Sequence, residues 1–285
     1  MNKTFTLVAS LLFVSFFFTC PAMAAQNPWE MKLPFQEATI DYTLTGSENG
    51  TETLYIRDYG KERARYRKTT TKVMFVTTDT NEAEITTPDW IYTIDLNAKS
   101  GTKTTNPVKF MVEEYNRLSS NEQQMVDKNA EEIGMSALQG MQGSVQQNAG
   151  EILGYNCDLV TVAGTTSYSI HGTDIPLKSD VNLMGMQFSS AATAINKGPV
   201  NGDVFTPPAG VAVEHDVQAD EAARAMAKST IDTLKSPDAK EKMQQQAASM
   251  GAARQDAGTP PAGQGGTNDQ DVRKAMDAIK GLFGN

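Results

Sequence analysis

Cysteine and histidine are scarce in this sequence, with two of each in 285 residues. Cys20 lies in an N-terminal apolar segment, and once that segment is removed Cys157 has no partner for an internal disulfide. We interpret Cys157 as a small buried strand residue, the alternative being a reactive or intermolecular thiol. His171 and His215 lack cysteines or carboxylates at metal-ligand spacing, so we predict no metal site.

The motifs of common cofactor and nucleophile sites are also missing. The sequence has no glycine-rich phosphate loop, no dinucleotide-binding fingerprint and no nucleophile elbow. Cys157 and His171 could be paired as nucleophile and base, but their positions on adjacent sheet segments favour packing. The acidic pairs Glu113-Glu114 and Glu131-Glu132 fall on predicted helices as solvated faces. We therefore predict that the protein is not an enzyme and has no cofactor.

Positive charge is in the minority, with 25 Lys and Arg against 34 Asp and Glu and a formal net charge of −9. We do not expect so acidic a chain to bind nucleic acid. Long apolar runs are rare, and the run Leu7–Phe18 is shorter than the roughly 20 residues that span a bilayer as a helix.

The apolar run instead has the flanks of a secretory signal. Lys3 precedes it, and Ala22-Met23-Ala24 follows it as a cleavage site, so residues 1–24 are predicted to be a signal peptide and the protein to be periplasmic. A lipoprotein anchor at Cys20 is less favoured, because Phe17-Phe18-Thr19 before it lacks small residues and Pro21 follows it.

Apolar residues alternate with polar ones through much of the remaining chain, which is typical of strands with one buried face. The predicted strands of the first half are Ala38–Leu44, the segment around Leu54 and Ile56, Lys61–Lys68, Val73–Thr78, Ala83–Thr86 and Trp90–Leu96. Those of the second half, between Gly150 and Val211, are Tyr155–Ala163, Ser167–His171, Ile175–Leu177, Val181–Met186 and Ala192–Ile195. Strands joined by short turns favour a curved antiparallel sheet over a doubly wound fold.

One predicted strand carries a basic stripe at a period of two, formed by Lys61, Arg63, Arg65 and Arg67. The stripe could contact lipid headgroups or an acidic partner. The alternative is a solvated outer face that discourages edge pairing.

Helical periodicity replaces the alternation at Pro107. Val108, Met111, Val112 and Tyr115 share one face of a first predicted helix. A capping box, Ser119 followed by Glu122, opens a second helix whose apolar stripe is Val126, Ala130, Ile133, Ala137 and Met141.

The C-terminal region changes in composition after Asp216. Residues 218–254 are predicted to form an Ala- and Gln-rich helical extension, docked loosely or partly disordered because its apolar stripes are thin. Residues 255–285 are predicted to be a flexible linker and a short amphipathic helix. That helix is either a docking or membrane-surface element or a frayed end.

Residues Gly150 to Asp158, the Ile175-Pro176-Leu177 segment and the pattern Phe205-x-x-Pro208-x-Gly210-Val211 resemble periplasmic proteins related to the outer-membrane lipoprotein carriers (LolA/LolB-like). The resemblance covers about residues 29 to 217, within a predicted domain of 25–217. It implies an α+β fold: a strongly curved antiparallel β-sheet, or half-open barrel, with a helical lid over an apolar concave face.

The resulting hypothesis is a periplasmic carrier or binding protein for a lipid, a lipoprotein acyl chain or a similar hydrophobic ligand. Its partners would be that ligand or a lipidated protein. The alternative is a non-enzymatic cell-envelope interaction protein that keeps the fold without a ligand cavity. The residues predicted to line the ligand site are Ile40, Tyr42, Ile56, Tyr66, Trp90, Tyr92, Met111 and Met141.

Overall fold

The computed structural model of the chain describes residues 28–30, 32–73, 76–140, 143–162, 164–183 and 186–242. The predicted signal peptide, the linker and the terminal amphipathic helix lie outside these ranges, as does Met141. In the described residues, no helix is both long enough and apolar enough to cross a membrane.

The described chain is mostly sheet, with additional helices, so the predicted α+β class is confirmed. The twelve strands are β1 (Ala38–Gly46), β2 (Glu48–Arg57), β3 (Glu62–Val73), β4 (Val76–Thr86), β5 (Trp90–Asp95), β6 (Ser100–Thr105), β7 (Ser144–Ile152), β8 (Tyr155–Val162), β9 (Thr165–Ile170), β10 (Pro176–Leu183), β11 (Met186–Lys197) and β12 (Ala212–His215). The α-helices are α1 (Pro107–Tyr115), α2 (Ser120–Gly140) and α3 (Val217–Leu234).

All twelve strands form one open sheet in the order β12-β6-β5-β4-β3-β2-β1-β11-β10-β9-β8-β7. Two antiparallel meanders, β1 to β6 and β7 to β11, join where β1 pairs with β11. The sheet is mixed rather than purely antiparallel, because the short β12 runs parallel to β6.

Several predicted strands need correction. β3 extends to Val73, and the segments predicted at Val73–Thr78 and Ala83–Thr86 form one strand, β4, from Val76 onward. The strands predicted at Ile175–Leu177 and Val181–Met186 do not match the observed ones. β10 runs from Pro176 to Leu183, and β11 begins at Met186. The prediction did not include β6, β7 or β12, since β6 is wholly polar apart from its glycine and β7 is largely exposed.

Two buried apolar clusters lie on the two sides of the sheet. We call the side that carries Ile40, Leu54 and Arg65 the inner face; the register places these three residues in one cross-strand row. The opposite side, the outer face, carries Tyr55, Ala64 and Ile85 in another row. The inner cluster contains Leu33, Phe35, Ala38, Ile40, Tyr42, Leu54, Ile56, Cys157, Ile170, Ile175 and Leu177.

The crossover from β11 to β12, residues 198–211, covers the outer face. It has to pass the intervening strands because β11 lies beside β1 while β12 lies beside β6. Its Phe205 is buried against Ala64, Ile85 and Ile94, with Val204 also packed there. The crossover contains a short 3-10 helix, Gly202–Phe205, followed by irregular chain up to β12.

The helices have an apolar core of their own. Tyr115 of α1, Val126 of α2, and Ile231 and Leu234 of α3 are buried together, and Trp29 packs against them. The predicted capping box is present, since the Ser119 N–H and hydroxyl both donate to Glu122. α3 is buried on the other two helices, so loose docking is wrong for this part of the predicted extension 218–254, whose residues 243–254 lie outside the described ranges. Covering of the concave face by a helical lid stays a prediction.

Candidate functional site

The inner face changes character from β1 to β6. One cross-strand row reads Ile40, Leu54, Arg65, Glu84, Thr93 and Thr102. The next reads Tyr42, Glu52, Arg67, Glu82, Asp95 and Ser100. Apolar side chains on β1 and part of β2 thus give way to charges from Glu52 through β3 and β4, and then to hydroxyl groups and Asp95 on β5 and β6. We call the inner-face residues of β3 to β6 the charged wall.

Arg63 lies at one end of the charged wall and forms an ion pair across the inner face. Its Nη1 and Nη2 donate to the two carboxylate oxygens of Asp174, at 2.5 and 3.0 Å. Asp174 precedes β10, which is four strand spacings from β3, or about 19 Å in a flat sheet. The pair therefore spans the inner face and joins the two halves of the sheet, as expected if the sheet is concave on this side.

Arg65 lies at the boundary between the apolar and charged parts of the inner face. Its Nε is 3.3 Å from Oε1 of Glu52, without hydrogen-bond geometry, and this buried nitrogen has no acceptor among the described residues. Burial works to lower the pKa of the guanidinium, but the Glu52 and Glu84 carboxylates outweigh it and the pKa is raised. Arg65 therefore stays charged, held in place by two glutamates.

The other basic residues of the stripe are also paired. Nη2 of Arg67 donates to Oε2 of Glu48 at 2.6 Å, and the same carboxylate accepts the Thr69 hydroxyl. Lys61 is more exposed, 3.4 Å from Glu30. The three arginines share the face of Leu54 and Ile56, so the interpretation of the stripe as a solvated outer face is wrong. Contact with a headgroup or a partner stays a prediction.

The sequence-predicted lining residues fall into three groups. Ile40, Tyr42 and Ile56 are in the inner cluster, and the Tyr42 hydroxyl donates to the Pro176 carbonyl at 3.0 Å. Tyr66 and Tyr92 pack on the outer face. The remaining described members are Trp90, which contacts His215, and Met111, which packs among the helices. The structure therefore does not bring the described members of this set together around one space.

Side chains occupy the apolar part of the concave face. Ile40, Ile56 and Leu177 are each 0% exposed, although Leu177 comes from the opposite half of the sheet. Tyr155 and Tyr168 pack against them. The region predicted to hold an acyl chain is therefore core in the part of the chain that is described.

Each histidine pairs with an aspartate, a partner that spacing along the sequence does not indicate. His171 Nδ1 lies 2.7 Å from Asp158, which also accepts the Asn148 and Gly172 N–H groups. His215 Nε2 lies 2.8 Å from Asp220. Within the described ranges no three His, Cys, Asp or Glu side chains converge as metal ligands.

Asp220 ties α3 to the sheet, and its contacts make the stability of the protein depend on pH. It accepts the Thr105 N–H and hydroxyl, each at 2.7 Å, and the His215 contact. Burial works to raise its pKa, but these contacts outweigh burial and the pKa is lowered. A lowered carboxyl pKa contributes stability above the unfolded value of about 4, and this contribution is lost as pH falls through the folded pKa.

We therefore expect Asp220→Asn to lower the free energy of unfolding by about 1 to 2 kcal/mol at pH 7. We also expect the variant to lose less stability than the parent as pH falls below about 4. Urea titrations at several pH values measure both effects. Glu221→Gln, at the next and exposed position of α3, is the control and should change neither. Parallel pH profiles for Asp220→Asn and the parent would contradict this role.

Comparison with known proteins gives no family. No family model and no curated protein matches the chain. A solved structure of an uncharacterized conserved protein from Thermus thermophilus is similar at a TM-score of 0.36 and 7% identity, over 62% of this chain and 90% of that one. A structure of PNGF-II is similar at a TM-score of 0.32 and 12% identity, over 67% of this chain but only 33% of that one. These scores are too low to bear on function.

Proposed function

We propose that the protein is a non-enzymatic interaction protein of the cell envelope that binds its partner on the charged wall. The observation that carries this proposal is the filled concave face: the β1–β2 half is packed with buried side chains, and the Arg63–Asp174 pair crosses it. Carboxylates and hydroxyls are exposed on the wall, at Glu84, Thr93 and Thr102. An exposed polar surface suits a protein partner, including the lipidated protein predicted from the sequence.

A photo-crosslinking amino acid at Thr93 tests the proposal in the cell that makes the protein. We expect a discrete adduct with a partner, which Glu84→Lys abolishes because it reverses a charge in the same cross-strand row. A crosslinker at Glu221, on exposed α3, is the control and should not give that adduct. Absence of any adduct specific to position 93 would contradict the proposal.

Native mass spectrometry of the exported protein, purified without detergent, separates this function from the carrier function. We expect the mass of the polypeptide alone. A stoichiometric lipid adduct would support the carrier hypothesis and overturn ours, since the packed inner cluster could not then be the state that the protein adopts in the cell.

A further inference from the structure

The segment that precedes β1 connects the sheet to the helices. We call its residues 29, 30 and 32–36 the strap. Leu33 and Phe35 of the strap are buried in the inner cluster. The Leu33 N–H donates to the Tyr59 carbonyl at 3.0 Å, and the Tyr59 N–H donates to the Gln36 carbonyl at 3.1 Å. Two buried side chains and two main-chain hydrogen bonds thus hold this end of the strap on the sheet.

The other end of the strap reaches into the core of the helices. The Trp29 ring packs against Tyr115 of α1, with ring centroids 5.5 Å apart and an angle of 74° between the ring planes. The remaining described members of this core come from the three helices and the turn between α1 and α2: Met111, Tyr115, Leu118, Val126, Ala130, Ile133, Ile231 and Leu234. Among the described residues of this core, Trp29 is therefore the one that the helical region does not supply.

The part of the strap between these two ends is exposed. Glu30 and Lys32 both face solvent. Glu30 pairs with Lys61 at 3.4 Å, and the Lys61 side chain is itself exposed. An exposed ion pair of this kind contributes little to stability. The strap therefore connects with the helical core chiefly through Trp29.

The helices are also attached to the sheet at the end of β6. Asp220 of α3 accepts the N–H and the hydroxyl of Thr105, the last residue of β6. Asn106, the N-cap of α1, donates through Nδ2 to the Thr87 carbonyl at 2.9 Å. None of these hydrogen bonds involves the strap. Release of Trp29 would therefore leave the helices joined to β6.

We propose that Trp29 is a releasable link, and that the protein has a second conformation in which the strap has left the helical core while the sheet stays folded. The inner cluster and the helical core have separate members, and regions with separate cores open with different free energies. Withdrawal of the Trp29 ring uncovers Tyr115, so the helices lose apolar burial that the sheet keeps. This conformational change is independent of the function proposed for the charged wall.

Two single-tryptophan variants of the full mature chain test the release, since the sequence has only Trp29 and Trp90. In Trp90→Phe the fluorescence reports on the strap. In Trp29→Phe it reports on the sheet, because Trp90 begins β5 and contacts His215 of β12. We expect the emission of Trp29 to shift to longer wavelength at a lower urea concentration than that of Trp90. Coincident transitions would overturn the proposal.

Hydrogen exchange measured by mass spectrometry locates the effect along the chain. Trp29→Ala should speed the exchange of α1 and α3 amides about tenfold and change that of β1 to β3 by less than about twofold. Lys32→Ala, at an exposed position of the strap, is the control and should change neither. Equal acceleration in helices and strands would make Trp29 an ordinary core residue, and unchanged helices would mean that it does not hold them; either result overturns the proposal. If Trp29→Ala does not fold, the fluorescence comparison still decides.

Discussion

Replacing Arg63 with alanine is expected to lower the free energy of unfolding by about 3 kcal/mol, because it leaves the Asp174 carboxylate without its bidentate partner in a mostly buried place. The side chains of Arg63 and Asp174 are only 19% and 11% exposed. Urea denaturation of the variant and the parent measures the difference.

The pair differs from a surface ion pair in a way that a double variant reveals. Arg63→Leu with Asp174→Leu should be less destabilising than Arg63→Leu or Asp174→Leu alone, because neither member of this ion pair is then left in place without the other. Lys61→Ala is the matched control on the same stripe; Lys61 is 43% exposed, so its loss should cost much less than the loss of Arg63. Similar losses for Arg63→Ala and Lys61→Ala would mean that the bridge does not hold the curved sheet.

The second large effect concerns the filled concave face. Leu177→Ala should destabilise the protein by about 2 to 5 kcal/mol, because the truncated side chain leaves a cavity inside a packed cluster. Val145→Ala is the control, since Val145 is 50% exposed on the edge strand β7. Thermal and urea unfolding of lipid-free protein measure both.

The Leu177 result also discriminates between functions. If Leu177 lined an empty ligand site, its truncation would barely change the stability of lipid-free protein and would instead alter uptake of a fluorescent fatty acid. That pair of results would contradict the interaction-protein proposal. A large loss of stability without fatty-acid uptake in the parent is the result that we expect.

Local patterns in the sequence predicted much of the fold. The alternation in Ala38–Leu44 and the helical spacing after Pro107 both gave correct elements, because the periodicity of one face is a property of neighbouring residues. The strand β6 was missed for the same reason: its sequence, Ser-Gly-Thr-Lys-Thr-Thr, has no apolar period to detect. Its pairing with β5 depends on tertiary context instead.

The candidate site was harder to predict, because it depends on contacts between distant residues. The period of two places Arg63, Arg65 and Arg67 on one face, but it does not say which one. That face is fixed by the register with Leu54 and Ile56 and by Asp174, which is 111 residues from Arg63. Tyr66 and Tyr92 each lie in an alternating apolar pattern. That pattern likewise does not show that the crossover, rather than a lid, covers them.

The pairing of β1 with β11 also constrains when the protein can fold. Asp41 accepts a hydrogen bond from Thr193, 152 residues later in the chain. While the chain is synthesised in the order of its sequence, one side of β1 is an unpaired edge with alternating apolar residues until β11 is made. Closing so long a loop is slow, on the order of milliseconds to seconds for sheets dominated by distant pairings. The first meander therefore passes through a period in which its open edge can pair with another copy of itself.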